Sequence, residues 1–254
     1  MKKEWISFLD KITEEIEKMG IDFPIFRGHN NSQWKLIPSL HREPWISKAD
    51  PSIEENILAE FMLYSGPLYE KKLDNWELLF EMRHSGIPTR LLDWTEHFGS
   101  ALFFALNGIN WENNGISHAK INPCIWIMNP YALNETFLQK AYIPFVNELK
   151  FDYEDLLTIN SKNSDKIANI KGPIAILPPR MLRRSFAQKS IFTLHMGSYE
   201  PIEKICKSCV KKFEIPSNSI NEAYSFLKMA GINDYSLYPD TDGLGKYIVK
   251  KYKS

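Results

Sequence analysis

The sequence predicts an α+β fold, because helical periodicity and short apolar runs occupy different halves of the chain. In the first half, apolar residues recur at the spacing of amphipathic helices, and in the second half they form short runs typical of strands. The chain has 254 residues, of which 44% are apolar and 13% aromatic, so it can bury a sizeable core. We therefore expect a single domain, residues 1–254, in which a helical N-terminal half packs on a mixed or antiparallel sheet built mostly from the C-terminal half.

The predicted helices are marked by apolar stripes and by residues typical of helix ends. An N-terminal helix within residues 1–20 carries an apolar stripe and ends at Gly20. Asp74 and Glu77 have the spacing of a capping box, and Asp93 or Thr95 is suited to cap a strongly apolar helix. The predicted helices cover residues 4–19, 52–64, 74–86, 93–106 and 219–230, with a basic helix at the C-terminus.

Short apolar or alternating runs predict the strands. These runs cover residues 23–27, 124–128, 174–177, 191–196, 210–215 and 235–238. The polar residues 160–171 predict a surface loop. The chain thus divides into the N-terminal helix, a core of motifs at residues 23–105 and a sheet-rich part at residues 122–245.

Composition limits the classes of partner. The chain has 31 basic and 31 acidic residues, and this balance argues against non-specific binding of DNA or RNA, although it is compatible with a local basic patch. No apolar run approaches the length of a membrane span, and the N-terminus is amphipathic rather than an apolar targeting segment. We expect a cytoplasmic protein without a membrane partner.

The cysteines predict neither a disulfide framework nor a metal site. There are 3 of them, and an odd number in a chain of this length is not typical of a disulfide scaffold. Cys206 and Cys209 form a single C-x-x-C pair, whereas a structural zinc site usually has about four ligands. We therefore expect no metal.

The first candidate for a functional centre is Phe26-Arg27-Gly28. An arginine at the end of an apolar strand is costly unless its guanidinium meets an anion or a carboxylate, and its planar fork suits phosphate. Gly28 permits the close approach of a ligand or of another backbone segment. The alternative is a structural arginine that pairs with an acid of the fold.

Further segments carry polar side chains that could line a cleft. His84 is expected at a helix C-terminus, where the helix dipole favours an imidazolium, and Trp94 offers a flat stacking surface. Each segment also has a purely structural explanation: an edge strand with solvated ends, a capped connector between helices, a solvated face, or a turn that begins a helix. The candidate side chains in these segments are Ser39, His84, Arg90, Asp93, Trp94, Gln188 and Asp240.

Taken together, these segments resemble the FRG-domain family of bacterial and phage proteins, which is named for an aromatic-Arg-Gly motif, here Phe26-Arg27-Gly28. The longest matching string is Pro-Thr-Arg-Leu-Leu-Asp-Trp-Thr at residues 88–95. Other matching segments lie at residues 34–42, 101–105, 188–193 and 237–243. The chain departs from the family pattern at Arg83, Ser85 and Ser190, where the family often has Gln, an aromatic residue and Gly.

The same aromatic-Arg-Gly motif looks more distantly like the first motif of ADP-ribosyltransferases of the Arg-Ser-Glu type. This resemblance implies an ADP-ribosyltransferase-like fold and NAD as the substrate, with Arg27 holding its phosphate and ribose. It implies that Ser39 lies on a strand that shapes the nicotinamide pocket. It also implies that a late acid, Asp240 or Glu214, binds the ribose.

The reaction implied by this resemblance needs a stabilised ribosyl cation rather than a strong acid, because nicotinamide is a good leaving group. The expected catalytic residues are Arg27, His84 and Asp240. The residues expected to bind the substrate or to select the acceptor are Ser39, Arg90, Asp93, Trp94 and Gln188. The protein would then act as an intracellular effector, toxin or phage-defence protein on a protein or nucleic-acid acceptor.

Two other functions stay open. The first is a nuclease or another phosphodiester-active enzyme, in which His84, Arg27 and Arg90 surround a phosphate. The second is a non-enzymatic binding module, in which Arg27, Arg90 and Asp93 form a buried structural network. The sequence does not define the oligomeric state.

Overall fold

The computed structural model describes residues 3–46, 52–108, 122–157, 167, 170–179, 187–197 and 199–253. The described helices are α1 (Lys3–Lys18), α2 (Ser39–Arg42), α3 (Ser52–Ser65), α4 (Asn75–His84), α5 (Phe98–Leu106), α6 (Pro130–Leu138), α7 (Tyr153–Leu157), α8 (Ile202–Ile205), α9 (Ile220–Met229), α10 (Asp234–Leu237) and α11 (Thr241–Lys253). Short 3-10 turns lie at Gly66–Leu68, Val146–Glu148 and Ser217–Ser219. Among these helices, none has both the length and the apolar character needed to cross a bilayer.

One antiparallel sheet forms the centre of the fold. Its strands are β1 (Ile25–His29), β2 (Leu91–Thr95), β3 (Cys124–Met128), β4 (Ile174–Ile176), β5 (Ser190–Leu194) and β6 (Val210–Glu214), in the order β4-β5-β2-β1-β3-β6. Every neighbouring pair is antiparallel, so the predicted α+β class is confirmed. Four of these six strands lie in the sheet-rich part predicted at residues 122–245, but β1 and β2, which precede it, occupy the centre of the sheet.

Apolar side chains cover both faces of the sheet. On one face, Phe26 of β1 packs with α1, α5 and α9, and Leu91 of β2 packs with α3, α4 and α7. On the other face, Ile25 and Leu92 pack with residues of α6 and α8. A strand covered on both faces needs apolar residues throughout. The charged residues of β1 and β2, Arg27 and Asp93, are therefore exceptions that need a physical reason.

Gly28 brings helix α5 against β1. A Cβ atom at this position would overlap the carbonyl oxygen of Ala101 and would lie 2.6 Å from the backbone nitrogen of Ala105. The predicted close approach at Gly28 is therefore confirmed, and the approaching group is the backbone of α5.

Several predicted elements are confirmed, and two are wrong. Residues 91–95 form β2 and not the start of a helix; α5 begins at Phe98, after His97. The cause is the position of β2 between β1 and β5, since a strand buried on both faces has the continuous apolar character of a buried helix. Residues 235–238 belong to helix α10 and its end, because the Asn233 side chain accepts hydrogen bonds from the backbone nitrogens of Tyr235 and Ser236.

Smaller differences concern the ends of elements. The first strand is shifted to residues 25–29, and the capping box of Asp74 and Glu77 begins α4 as predicted. Ser39 lies at the start of the short helix α2 and not on a strand, because Pro38 has the extended backbone of an N-cap. Most of the predicted loop at residues 160–171 lies outside the described residues.

Cys206 and Cys209 are joined as a disulfide. The odd cysteine count argues against a disulfide framework, and this bridge joins two residues only three positions apart at the end of α8. Cys124 on β3 is a free, buried thiol.

Candidate functional site

Arg27 lies where the two central strands separate. β1 and β2 are paired only at Phe26 and Thr95, whereas β1 pairs with β3 along its whole length. Next to this pair, Nη1 of Arg27 donates a hydrogen bond to the carbonyl oxygen of Asp93 at 2.6 Å. The guanidinium thus satisfies a carbonyl of β2 that the β1 backbone does not bond, and its side chain remains 14% exposed.

The carboxylate of Asp93 holds a second arginine, Arg83, near the end of α4. Nε of Arg83 lies 3.2 Å from Oδ1 and 3.0 Å from Oδ2, and its Nη2 also donates to Oδ2. Nη1 of Arg27 lies 3.6 Å from the same Oδ2. A fork of this kind fixes both side chains. The Asp93 side chain is 36% exposed, so the site opens to solvent.

A third arginine, Arg42 at the end of α2, belongs to the same cluster. Burial lowers the pKa of Arg42, and the positive charge of Arg83 lowers it further, while Glu43 and Asp93 oppose the shift. The three guanidiniums of Arg27, Arg42 and Arg83 thus act on one another, and two of them, Arg27 and Arg83, form ion pairs with Asp93. Even with Glu43 beside Arg42, the cluster carries a net positive charge.

The pKa values of Asp93 and Arg27 indicate that both groups are ionised in the cluster. Burial opposes ionisation of Asp93, but Arg83 and then Arg27 overcome it and lower the pKa of Asp93 to about 2. Burial also lowers the pKa of Arg27 to about 10, with Asp93 opposing the shift and Arg83 and Arg42 adding to it. All these groups are therefore charged at neutral pH. The charges lie close together in a partly enclosed site, where electrostatic interactions are stronger than in water.

His29, two residues after Arg27 on β1, supports the guanidinium. Its Nε2 accepts a hydrogen bond from Nε of Arg27 at 2.9 Å, so the imidazole is neutral and carries its proton on Nδ1. Burial lowers the pKa of His29 to about 3, and the charges of Arg27 and Arg42 contribute to this shift. His29 thus orients Arg27 without neutralising its charge.

The tail between α10 and α11 closes one side of the cluster. The side chain of Gln188 donates from Nε2 to the carbonyl oxygen of Leu237 at 3.1 Å. The hydroxyl of Thr95 donates to the carbonyl oxygen of Gln188 at 2.6 Å. Tyr238, the next residue of the tail, is close enough to Arg83 to raise its pKa, although Asp93 has the larger effect. Gln188 therefore fastens the tail to the end of β2.

Arg90 belongs to a different and closed cluster. It is 6% exposed and forms a fork with the carboxylate of Glu54, with its Nε 2.7 Å from Oε1. Its Nη1 donates to the carbonyl oxygens of His195 and Met196, and the hydroxyl of Tyr153 donates to Glu54 at 3.0 Å. Protein groups enclose the whole guanidinium of Arg90. Arg90 therefore has the structural role that the binding-module hypothesis assigns to it.

A polar relay runs beside Arg90 through the core. The indole nitrogen of Trp94 donates to the hydroxyl of Thr193 at 3.3 Å, and this hydroxyl lies 3.3 Å from Nε2 of His195. Trp94 is 2% exposed, so its ring is not accessible to a ligand for stacking. Burial lowers the pKa of His195 well below 6.5, and His41 and Arg90 add to the shift.

The remaining predicted residues lie near these clusters but in structural positions. Ser39 is buried, and its hydroxyl accepts a hydrogen bond from the backbone nitrogen of Thr89 at 3.2 Å. His84 is the last residue of α4, directly after Arg83, and is half-buried. Asp240 accepts a hydrogen bond from the backbone nitrogen of Gly243 at 2.8 Å and thereby caps α11. Glu214, the alternative late acid, lies at the end of the edge strand β6.

The site residues predicted from the sequence do not include Arg42, Arg83 and His29 of the first cluster or Glu54 of the second. Arg83 was noticed only as a departure from the family pattern, although it binds Asp93 more directly than any other residue described. His29 follows Gly28 on β1, and nothing in its sequence position indicates that it supports Arg27. Glu54 lies two residues after the start of its helix, where an acid gives no sign of burial. An unexpected charge within a motif was the signal that could have identified Arg83.

Metal-binding groups and surface clefts are two further kinds of site that could involve the clustered arginines. Among the described residues, no group of three or more His, Cys, Asp or Glu side chains is arranged to hold a metal ion. A surface cleft of about 740 Å³ lies between α4 and α7. Its lining, from Lys72 to Trp76 and from Asn147 to Asp155, contains none of the clustered arginines.

Comparison with known proteins finds one family model that matches part of the chain. The family model described as FRG domain matches residues 23–114, a range that contains Arg27, Arg42, Arg83 and Asp93. No curated protein and no solved structure matches the chain.

Proposed function

We propose that this chain, which contains an FRG domain, binds a phosphate-bearing nucleotide at the arginine cluster, and that NAD is the ligand from which it transfers ADP-ribose. The observation that carries the proposal is that Arg27 and Arg83 share the carboxylate of Asp93, while Arg42 is close enough for its charge to act on Arg27. A fold gains little from crowding like charges in this way, because their repulsion costs stability. An anion with several oxygens, such as a diphosphate, would relieve the repulsion and would match the planar guanidinium forks.

The chemistry of ADP-ribosyl transfer is compatible with this cluster. The bond between C1′ of the ribose and the nicotinamide nitrogen breaks, neutral nicotinamide leaves, and a nucleophile of the acceptor bonds to C1′ and releases its proton. Positioned cations would hold the diphosphate, and a carboxylate would stabilise the cationic ribosyl group. Asp93 supports this role better than Asp240, since Asp93 is ionised and partly exposed whereas Asp240 caps a helix.

The other two functions receive less support. A phosphodiester-active enzyme would use the same anion site, but Arg90, which this hypothesis places at the phosphate, is enclosed by Glu54 and backbone carbonyls. The binding-module hypothesis fits Arg90, which is enclosed by Glu54 and backbone carbonyls. It does not fit the cluster around Asp93, whose carboxylate is open to solvent. The acceptor, and an effector or toxin role inside bacteria, remain parts of this proposal.

Binding and turnover are tested separately. Calorimetric titration at low ionic strength should show binding of NAD and ADP, and chromatography should show nicotinamide released from NAD in the presence of bacterial lysate. Arg27→Gln should weaken ADP binding by about tenfold or more, the effect of losing one hydrogen bond to a charged group. Arg27→Lys should also weaken it, because lysine keeps the charge but not the fork.

A charge-matched control separates site binding from general attraction. Lys18→Ala removes one positive charge from the exposed surface of α1 and should leave ADP affinity unchanged. Absence of ADP and NAD binding to the parent protein would refute the nucleotide site. If the parent protein binds NAD but releases no more nicotinamide than Arg27→Gln does in any lysate, the transferase activity is refuted. The nucleotide-binding site would still stand in that case.

A further inference from the structure

Trp34 is an exposed aromatic residue on an anchored loop beside the arginine cluster. Its side chain is 47% exposed, so much of the indole is open to solvent. The loop that carries it, residues 30–36, follows directly after β1. An exposed indole on a fixed loop is a feature of ligand-stacking sites, because the ring is presented without any cost of ordering it at binding.

Hydrogen bonds fix this loop at several points. The backbone nitrogen of Ser32 donates to the carbonyl oxygen of Asn122 at 2.9 Å, and the nitrogen of Trp34 donates to the carbonyl oxygen of Asn31 at 3.1 Å. Lys212 of β6 donates from Nζ to the carbonyl oxygen of Ser32 at 3.0 Å. These bonds come from the loop itself, from Asn122 just before β3 and from β6, so the position of Trp34 is defined by the fold.

His29 connects this platform to the arginine cluster. The imidazole of His29 packs against the indole of Trp34 at 5.9 Å between ring centres, with 68° between the planes. Through its other edge, Nε2 of His29 accepts the hydrogen bond from Arg27. The imidazole of His29 therefore lies between the indole of Trp34 and the guanidinium of Arg27. In a nucleotide, the ribose lies in the same way between the base and the phosphates.

Further cations line the same region. Arg27 lies across from Trp126 of β3, and Trp126 lies across from Lys212 of β6, so these three side chains form a row on one face of the sheet. Nζ of Lys212 lies 5.5 Å from the centre of the Trp126 ring. The indole nitrogen of Trp126 is buried and has no acceptor among the described residues. The row thus combines positive charge with an unused hydrogen-bond donor beside the platform.

We propose that Trp34 is the stacking platform for the nucleobase of the ligand whose phosphates bind the arginine cluster. This inference rests on the proposed nucleotide function and specifies the ligand as a nucleotide with at least two phosphates and a base. Stacking on an aromatic ring tolerates different bases, because every base has a π-face. The alternative occupant, a single-stranded nucleic acid, is an outcome of the test.

The test compares ADP with pyrophosphate, which has the phosphates but no base. In the parent protein, calorimetry should show that ADP binds more tightly than pyrophosphate. Trp34→Ala should weaken ADP binding by about tenfold, the size of one base–aromatic stack, and should leave pyrophosphate affinity within about twofold of the parent. Trp34→Phe should keep most of the ADP affinity. Tyr252→Ala, which removes an exposed aromatic ring from α11, should change neither affinity.

Each contrary result has a distinct meaning. Absence of pyrophosphate binding to the parent would overturn the phosphate site itself, and with it this inference. Pyrophosphate binding with an ADP affinity that Trp34→Ala leaves unchanged would overturn the stacking platform alone, as would an equal loss of both affinities. Tighter binding of a short single-stranded oligonucleotide than of ADP would overturn the assignment to a small nucleotide.

Discussion

A fall in pH from 7 to 5 is expected to destabilise the protein through two buried histidines, His29 and His195. They are 2% and 1% exposed. Burial, with the nearby charges of Arg27 and Arg42, lowers the pKa of His29 to about 3, and burial lowers that of His195 well below 6.5. Because both folded-state pKa values are below that of the unfolded chain, the unfolded state binds protons first. Stability is therefore full above pH 6.5 and declines as the pH falls below it.

The expected magnitude follows from this difference. At pH 5, an unfolded imidazole with a pKa of about 6.5 is protonated in an excess of about thirty to one, whereas buried His29 stays neutral. This difference corresponds to about 2 kcal/mol for one histidine. His195 is buried as well, and its lowered pKa adds to this loss in the same direction.

The variant His29→Gln separates the contribution of His29. The glutamine carbonyl can still accept the hydrogen bond from Arg27, but the amide does not take up a proton. Urea unfolding followed by tryptophan fluorescence, at constant ionic strength, should show that the variant loses about 2 kcal/mol less than the parent between pH 7 and pH 5.

His97→Gln provides the matched control, because it makes the same chemical change at an exposed position. The decline in its stability should match that of the parent. If the free energies of unfolding of His29→Gln and of the parent decline in parallel, the buried, neutral state assigned to His29 is wrong.

Three further predictions concern the core and the cluster. Arg90→Met should lower the free energy of unfolding by about 3–5 kcal/mol, because Glu54 would remain buried without its cation; the double variant with Glu54→Gln should recover part of this loss. Gly28→Ala should lower the thermal midpoint, since its methyl group would overlap the backbone of α5, whereas Gly66→Ala, with open space around its Cβ, should not. Asp93→Asn should remove the part of the acid destabilisation that appears below pH 3.8, because the folded-state pKa of Asp93 is about 2; equal acid curves for variant and parent would contradict this.

The fold class was predictable because several helices and strands carry local sequence signals of their own. The apolar stripe of α1 and the capping box at Asp74 are local signals, and both elements form where the spacing indicates. The error at residues 91–95 has a different origin. A strand at the centre of a sheet is covered on both faces, so it shows no alternation, and only its neighbours in space identify it as a strand.

The candidate site was predictable only in part, for a related reason. The motifs identified Arg27 and Asp93, which lie on adjacent central strands. They did not reveal that Arg83 holds the carboxylate or that Asp240 caps a helix, because partners of a side chain depend on tertiary packing. Ser39 illustrates the limit: the same residue suits a ligand pocket or a structural bond, and its bond to Thr89 became evident only in the fold.

The contrast between Arg90 and Arg27 gives the strongest argument for a ligand. Both lie on or beside central strands, but Arg90 has one carboxylate of its own, a hydroxyl on that carboxylate and two backbone carbonyls, so its charge is compensated inside the protein. Arg27 shares Asp93 with Arg83, and Arg42 lies close enough to lower its pKa. A neutral histidine supports it instead of an acid. Among the described residues, the charge of Arg90 is thus compensated inside the protein and that of Arg27 is not, and this difference supports the proposal that an anion from solvent binds beside Arg27.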